Sequence, residues 1–161
     1  MYLLDSNVFI QSNRAHYGLD FVPAFWDWLD RSHAEGKLHS IQPVGAEIAA
    51  GVDDLTTWAA SRSGFFLPID GACGSSLSAV ASWANSGHFT AAAINDFLRV
   101  ADYQLVAYAH AHKLKVVTME KSEPNRKNKI KIPDACIAHG VDWTSPFEML
   151  RSEKASFILG A

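Results

Sequence analysis

Five carboxylic acids stand near the expected ends of helices and strands, where side chains from distant parts of a chain can gather. Asp5 directly follows an apolar run at the start of the chain. The other four are Glu47, Asp102, Glu120 and Asp134. A hard cation such as Mg²⁺ takes oxygen ligands, and it can bind a phosphate oxygen and lower the pKa of a bound water. If the fold brings these acids together, they suit metal-assisted hydrolysis of a phosphoester.

Each of the five acids also has an ordinary structural explanation. Asp5 can be a turn former after a strand. Asp102 and Asp134 are expected in the first turn of helices, where the helix dipole favours an acid. Glu47 and Glu120 can be solvated charges on a helix and a loop. The residue types alone therefore do not establish a site.

The pattern of apolar residues, caps and turn residues predicts alternating strands and helices. Strands are expected at 2–4, 39–41, 115–118 and 141–144, and the segment 65–67 is either a strand or a linker. Helices are expected to begin at or next to Pro23, Pro43, Asp54, Ser75, Thr90, Ala101, Pro133 and Pro146. The polar segments 11–20 and 120–131 are interpreted as loops.

This order of elements predicts an α/β fold with a mainly parallel sheet that is covered by helices. In open sheets of this type, ligands bind beyond the carboxyl ends of the strands. Asp5 and Glu120 are both expected in that position. A chain of 161 residues, without internal repeats or an interdomain linker, is interpreted as a single domain, 1–161.

Composition and charge limit the classes of function. Hydrophobic residues make up 48% of the chain and charged residues 19%, which is typical of a globular protein. The net charge of −3 means that contact with nucleic acid requires a local basic patch. Cys73 and Cys136 have no paired spacing and no HExxH motif occurs, so we expect reduced thiols and no zinc site. Without a signal peptide or an apolar stretch of ~20 residues, we expect a cytoplasmic protein without membrane contact.

Segments spread over nearly the whole chain match one known group of proteins. They are 2–10, 25–29, 47–48, 101–109, 116–118 with the following Glu120, 131–134 and 147–150. In these segments the chain resembles the PIN-domain nucleases, the fold of the VapC-type ribonuclease toxins. The Trp-rich segment 25–29 and the Ile-Pro-Asp sequence make it resemble more closely DUF4411, a small PIN-like family of bacterial proteins.

The resemblance implies a three-layer α/β/α sandwich and a metal-dependent endoribonuclease, a hydrolase that cleaves RNA phosphodiester bonds with Mg²⁺ or Mn²⁺. It also implies a toxin of a toxin–antitoxin system, which forms a homodimer and has a cognate antitoxin protein as partner. The first three catalytic acids of PIN domains correspond to Asp5, Glu47 and Asp102. The fourth is usually Asp; its place is held here by the longer Glu120, and Asp134 stays open as an alternative.

The resemblance further assigns the metal to Asp5, Asp102 and either Glu120 or Asp134. Polar helpers near the metal and the substrate are expected at Asn7 and Thr118. Both can also form ordinary hydrogen bonds at a turn and at a strand end.

A basic segment, residues 121–131, begins directly after Glu120 and ends before Asp134. It contains one acid and five basic residues that we expect to bind RNA: Lys121, Arg126, Lys127, Lys129 and Lys131. Positive charge beside an acidic site would offset the repulsion of the RNA backbone. Arg14 and His16 are weaker candidates for the same task. A solvated loop is the alternative interpretation of this segment.

Two other functions are compatible with parts of the sequence. The first is a catalytically degenerate PIN module that binds RNA or protein only, since Glu120 departs from the usual acid pattern. The second is a haloacid dehalogenase-type phosphohydrolase, but that class needs a second Asp where this chain has Asn7. The tryptophans are assigned to the core or a dimer contact, and exposed members of the Phe25/Trp26 face are assigned to dimerisation.

Overall fold

Five short strands form one parallel sheet in the computed structural model, which describes residues 1–158. The strands are β1 Tyr2–Leu4, β2 Leu38–Ile41, β3 Phe66–Leu67, β4 Lys115–Val117 and β5 Trp143–Thr144. Their order in the sheet is β3-β2-β1-β4-β5. The expected strands are thus confirmed, and the segment that was open between strand and linker forms the edge strand β3. The last three residues of the expected domain lie outside the described part of the chain.

Nine α-helices connect and follow the strands within residues 1–158. They are α1 Ser6–Gln11, α2 Pro23–Ala34, α3 Gln42–Ala49, α4 Asp54–Ala60, α5 Gly74–Ala84, α6 Ala91–Arg99, α7 Ala101–His112, α8 Ile132–Ala138 and α9 Pro146–Ser152. Several begin as their sequences predict: Thr90 Oγ1 accepts a hydrogen bond from Ala93 N at the start of α6, and Pro23 opens α2. No helix of the described residues is long and apolar enough to cross a membrane.

Both faces of the sheet are covered. Leu3 and Leu4 of β1 are fully buried, as are Val116 and Val117 of β4. Because successive side chains of a strand point to opposite faces, burial of adjacent residues requires packing on each side. This confirms the expected α/β sandwich with a central parallel sheet.

The sheet has its topological switch point between β1 and β4. The chain passes from β1 to β2 and β3 on one side, and β4 and β5 then lie on the other side. Just beyond the strands, Asp5 N donates a hydrogen bond to Val117 O over 3.0 Å. Ligands in open α/β sheets bind at such a point, outside the carboxyl ends of the strands.

The segment that follows β1 differs from the expectation. Residues 11–20 were expected to form a loop, but α1 runs to Gln11 and a π-helical turn covers Ser12–His16. Ser and Asn are poor helix formers, so the local sequence does not favour this helix. Tertiary packing favours it, because Phe9 is buried and its ring centroid lies 5.8 Å from the ring centroids of Trp58 and Phe65.

The face of α2 that was assigned to dimerisation is part of the core. Phe25 is fully buried and Trp26 is 2% exposed. Trp26 Nε1 donates a hydrogen bond to Tyr17 O, and its ring packs edge-on against Trp58. These two residues are therefore not available for contact with a second copy, whereas the expectation of a dimer contact through exposed members of this face stays a prediction.

Candidate active site

Asp5 lies at the switch point, between the end of β1 and the first turn of α1. Its side chain is fully buried, and it accepts hydrogen bonds from Thr118 Oγ1 at 2.9 Å, Asn7 Nδ2 at 3.1 Å and Ser6 Oγ at 3.3 Å. Burial raises the pKa of Asp5 to about 6, with a further rise from the charge of Glu120, although the hydrogen bonds lower it. The carboxylate is thus held in one orientation in a place that disfavours its charge.

Asp102 lies in the first turn of α7 and is the most perturbed acid of the group. Burial raises its pKa to about 8, together with the negative charges of Asp5, Glu120 and Glu47. In the described part of the chain, no hydrogen-bond donor reaches its carboxylate to offset these effects. Four of the five predicted acids therefore lie near one another.

Glu47 links α3 to the start of α7. Its Oε1 accepts a hydrogen bond from Ala101 N over 2.9 Å. The residue at the N-cap of α7, Val100, has no side chain that can accept this bond. Glu47 therefore caps the helix that carries Asp102, a role that the sequence spacing did not reveal.

Glu120 reaches the same group of acids from the loop after β4. Its backbone N–H donates to Thr118 Oγ1 over 3.1 Å, which places it next to the residue that binds Asp5. Its carboxylate accepts a hydrogen bond from Ile132 N at 2.8 Å and lies 3.3 Å from Lys131 Nζ. The longer side chain thus connects the acidic group to the basic segment.

Asp134 lies apart from the other four acids. Its carboxylate accepts hydrogen bonds from Ser122 Oγ and from Glu123 N. It lines a different cavity, with Trp83 and Phe89. Its charge does not contribute to the raised pKa of Asp102. Asp134 thus binds the start of the basic segment to α8.

Comparison with known proteins places the chain in a family. The family model described as "Domain of unknown function (DUF4411)" matches residues 2–157. The chain belongs to this family. No curated protein matches the sequence of this DUF4411 member.

Two solved structures share the fold of the DUF4411 protein. FitAcB from Neisseria gonorrhoeae is 20% identical with a TM-score of 0.53, and the match covers 91% of this chain and 99% of that chain. FitAB bound to the IR36 DNA fragment is 18% identical with a TM-score of 0.54, and the match covers 91% of this chain and 96% of that chain. At this level of identity the likeness shows the fold, and it confirms the PIN-like α/β architecture expected from the sequence.

A cavity of about 370 Å³ opens beside the acids of the DUF4411 protein. The residues that line it include Asp102, Glu47, Asn7, Phe97 and Lys129. Phe97 is 3% exposed and belongs to α6. Sequence analysis did not single it out, because an aromatic residue at helical spacing is typical of a core.

The basic segment is folded against the acidic group. Lys131 pairs with Glu120 and with Glu123, and Arg126 pairs with Glu123 at 3.0 Å. Lys129 lies 3.7 Å from Glu120 while remaining half exposed. The remaining two predicted cations, Lys121 and Lys127, are exposed, as is Arg14 in the π-helical turn after α1.

The four acids supply the donor type that a divalent cation takes, although among the described residues no three of them bring one ligand oxygen each within 4.8 Å of one another. Asp5, Glu47, Asp102 and Glu120 supply only oxygen donors, which suits a hard ion such as Mg²⁺ or Mn²⁺. Burial first, and then neighbouring negative charges, raise the pKa values of Asp5 and Asp102, so added positive charge would stabilise their ionised forms. A cation held between the carboxylates would supply that charge.

Proposed function

We propose that this DUF4411 protein is a Mg²⁺- or Mn²⁺-dependent endoribonuclease that hydrolyses RNA phosphodiester bonds. The observation that carries the proposal is the convergence of Asp5, Glu47, Asp102 and Glu120 at the switch point of the sheet. A position beyond the carboxyl ends of the strands is where α/β folds bind ligands. Burial raises the pKa of Asp102 to about 8, and the nearby charges of Asp5, Glu120 and Glu47 contribute to this rise, which supports the convergence.

Asp5, Asp102 and Glu120 are the residues that we assign to metal binding. A bound cation would neutralise charge on a phosphate oxygen and lower the pKa of a bound water. Thr118 and Asn7 fix the orientation of Asp5 through their hydrogen bonds. We assign Asp134 to the positioning of the basic segment, because Ser122 and Glu123 bond to it there.

Glu47 is the acid that we assign to the attacking water. Its Oε1 is engaged by Ala101 N, which anchors the side chain. Glu47 lines the same cavity as Asp102. A carboxylate in that position can orient a water or accept its proton.

RNA would approach over the basic segment. Lys121, Lys127 and Lys129 are exposed there. Their positive charge would offset the repulsion between the phosphate backbone and the four acids. Lys131 is 14% exposed and pairs with Glu120 and Glu123, so we assign it to the support of the site.

We further propose that the protein is a cytoplasmic toxin, regulated by a cognate antitoxin and active as a homodimer. The support is the resemblance to VapC-type toxins and the PIN-like fold. Phe25 and Trp26 are themselves buried, so a dimer contact would use other residues.

The direct test is cleavage of single-stranded RNA by the purified full chain with Mn²⁺. We expect Asp102→Asn to lower the rate about 100-fold or more, since loss of even a supporting residue of a metal site costs about 10- to 100-fold. Asp142→Asn is the matched control. It removes an exposed acid just before β5, at the amino ends of the strands, whereas the acidic group lies beyond their carboxyl ends.

Two results would overturn the proposal. The first is cleavage that persists in Asp102→Asn or in excess chelator. The second is RNA that binds without being cut while Mn²⁺ does not bind, which would identify a degenerate binding module instead.

A further inference from the structure

Three different metal-binding side chains meet at the end of α7 that is remote from the acidic group. Asp70 precedes a short 3₁₀ turn, Gly71–Cys73, that ends with Cys73, and His112 is the last residue of α7. Cys73 Sγ lies 3.4 Å from Asp70 Oδ1 and 3.9 Å from His112 Nε2. Asp70 Oδ1 lies 3.3 Å from the same Nε2. One carboxylate oxygen, one sulfur and one imidazole nitrogen thus form a small triangle.

The size of this triangle matches the face of a tetrahedral zinc site. Zinc binds sulfur at ~2.3 Å and nitrogen or oxygen at ~2.0–2.2 Å. Tetrahedral angles then separate a nitrogen and an oxygen by ~3.4 Å, and a sulfur from either by ~3.6 Å. The observed separations of 3.3, 3.4 and 3.9 Å differ from these values by about 0.3 Å or less. A cation can enter with only small side-chain movements.

The donor types select a different ion from that of the acidic group. Thiolate and imidazole are soft and borderline ligands that favour Zn²⁺ and neighbouring transition metals over Mg²⁺. Asp70 and His112 are 44% and 30% exposed in their side chains, so the site is open to solvent on one side. The thiol of Cys73 is fully buried and closes the other side.

The same three residue types also occur in cysteine nucleophile triads, but the geometry here does not fit one. In a triad the acid binds one ring nitrogen of His while the other nitrogen faces the nucleophile. Here both the thiol and the carboxylate of Asp70 lie against Nε2 of His112. A shared nitrogen cannot relay a proton between them, whereas all three atoms can point at one cation.

Neighbouring groups hold the ligands in place. Ala72 N donates a hydrogen bond to Asp70 Oδ1 over 3.1 Å. The ring of His112 packs against Tyr108, with centroids 4.3 Å apart. Such supporting contacts orient metal ligands in proteins.

We propose that Asp70, Cys73 and His112 form a second metal site, selective for a borderline transition-metal cation, with Zn²⁺ as the preferred ion. The site ties the segment before α5 to the end of α7. Asp102 begins the same helix, about 15 Å away at 1.5 Å per residue. The second ion is therefore separate from the ion proposed for the acidic group.

Cobalt is the probe that distinguishes this site from the acidic group. Co²⁺ bound by a thiolate in tetrahedral geometry gives a sulfur-to-metal charge-transfer band and intense visible bands, which carboxylate sites do not give. The full chain carrying Asp5→Asn and Asp102→Asn is titrated with Co²⁺ under reducing conditions. We expect both sets of bands with one equivalent of Co²⁺, and their loss when Zn²⁺ is added.

Two pairs of variants test the assignment of the ligands. Cys73→Ser should abolish the charge-transfer band, whereas Cys136→Ser, which alters the other buried thiol, should keep it. His112→Gln should weaken binding, whereas His110→Gln, two residues earlier on α7, should leave it unchanged. Absence of the charge-transfer band, or its persistence in Cys73→Ser, would overturn the proposal.

A thermal measurement checks that the ion binds the native protein. At a free Zn²⁺ concentration about 100-fold above the Kd, we expect the Tm of the Asp5→Asn, Asp102→Asn chain to rise by about 5–10 °C. His112→Gln should lose this rise. An equal rise in both chains would show that Zn²⁺ binds elsewhere and would contradict the assignment.

Discussion

Asp102 is the residue whose charge opposes the fold most strongly. Burial, with the charges of Asp5, Glu120 and Glu47, raises its pKa to about 8, whereas an unfolded chain titrates an Asp near ~3.9. Between these values the folded protein keeps a proton that the unfolded chain has released. The contribution of Asp102 to the free energy of unfolding of the metal-free protein therefore falls as the pH rises from about 4 to about 8, and this contribution is constant outside that window.

Removal of this charge should stabilise the protein. We expect Asp102→Asn to raise the free energy of unfolding by about 2 kcal/mol near pH 8 in chelator, since one pKa unit corresponds to about 1.4 kcal/mol and part of the gain is offset by the buried amide. Urea unfolding at several pH values measures this, and the gain should vanish near pH 4. A control, Asp142→Asn, should show no such gain. An Asp102→Asn chain that is no more stable than the wild type near pH 8 would contradict the account.

At the scale of elements, Glu47 couples α3 to α7 by a single hydrogen bond to Ala101 N. Glu47→Gln and Glu47→Ala both remove the charge, but only Gln keeps an acceptor for this bond. We expect Ala to be less stable than Gln by about 1 kcal/mol in urea unfolding, the usual value of a helix cap. Both variants should lose RNA cleavage, because neither an amide nor a methyl group can accept a proton from water. Equal stability of the two variants would show that Glu47 does not cap α7.

The basic segment is held in place by several backbone contacts. Thr90 N donates to Lys127 O over 2.9 Å, which joins the segment to the start of α6. Arg126 and Lys131 are paired with acids, whereas Lys121 and Lys127 are exposed. The five predicted cations therefore divide into a supporting pair, two exposed residues, and Lys129, which lies between the two groups.

This division predicts how RNA affinity depends on salt. In the Asp102→Asn background, which binds without cutting, Lys121→Ala with Lys127→Ala should weaken binding. The slope of log K against log salt concentration should become shallower by about 0.7 for each lost contact to a single strand. Fluorescence anisotropy with a labelled RNA measures both. Lys37→Ala is the control, because Lys37 lies just before β2, at the amino ends of the strands. An unchanged slope in the double variant would exclude the basic segment as the RNA contact.

For the molecule as a whole, the sequence predicted the order of the elements, because this order depends on local patterns. The pattern of apolar residues locates β1, β4 and α7 well. The helical segment after β1 was missed, because its stability comes from Phe9 packing on distant aromatic rings. The group of Asp70, Cys73 and His112 was missed for the same reason: residues 39 positions apart meet only through the packing of the folded chain.

The place of the fourth acid shows what a sequence pattern leaves undetermined. Glu120 precedes the basic segment and Asp134 follows it, and either could extend towards Asp5 by position alone. The fold separates them, since Glu120 is bound to Ile132 N and raises the pKa of Asp5 and Asp102. Asp134 is instead satisfied by Ser122 and Glu123.

The toxin hypothesis can be tested in whole cells because the informative variants should remain folded. Loss of toxicity in a variant is usually ambiguous, since most substitutions also destabilise the protein. Here Asp5→Asn and Asp102→Asn remove charges that the fold disfavours, so the double variant should accumulate at least as well as the wild type. We expect induced wild-type protein to arrest bacterial growth and the double variant at equal abundance to allow it, as measured by growth curves with immunoblots. Equal growth with both proteins would refute the toxin hypothesis. RNA cleavage by the purified protein would then show whether the nuclease hypothesis still stands.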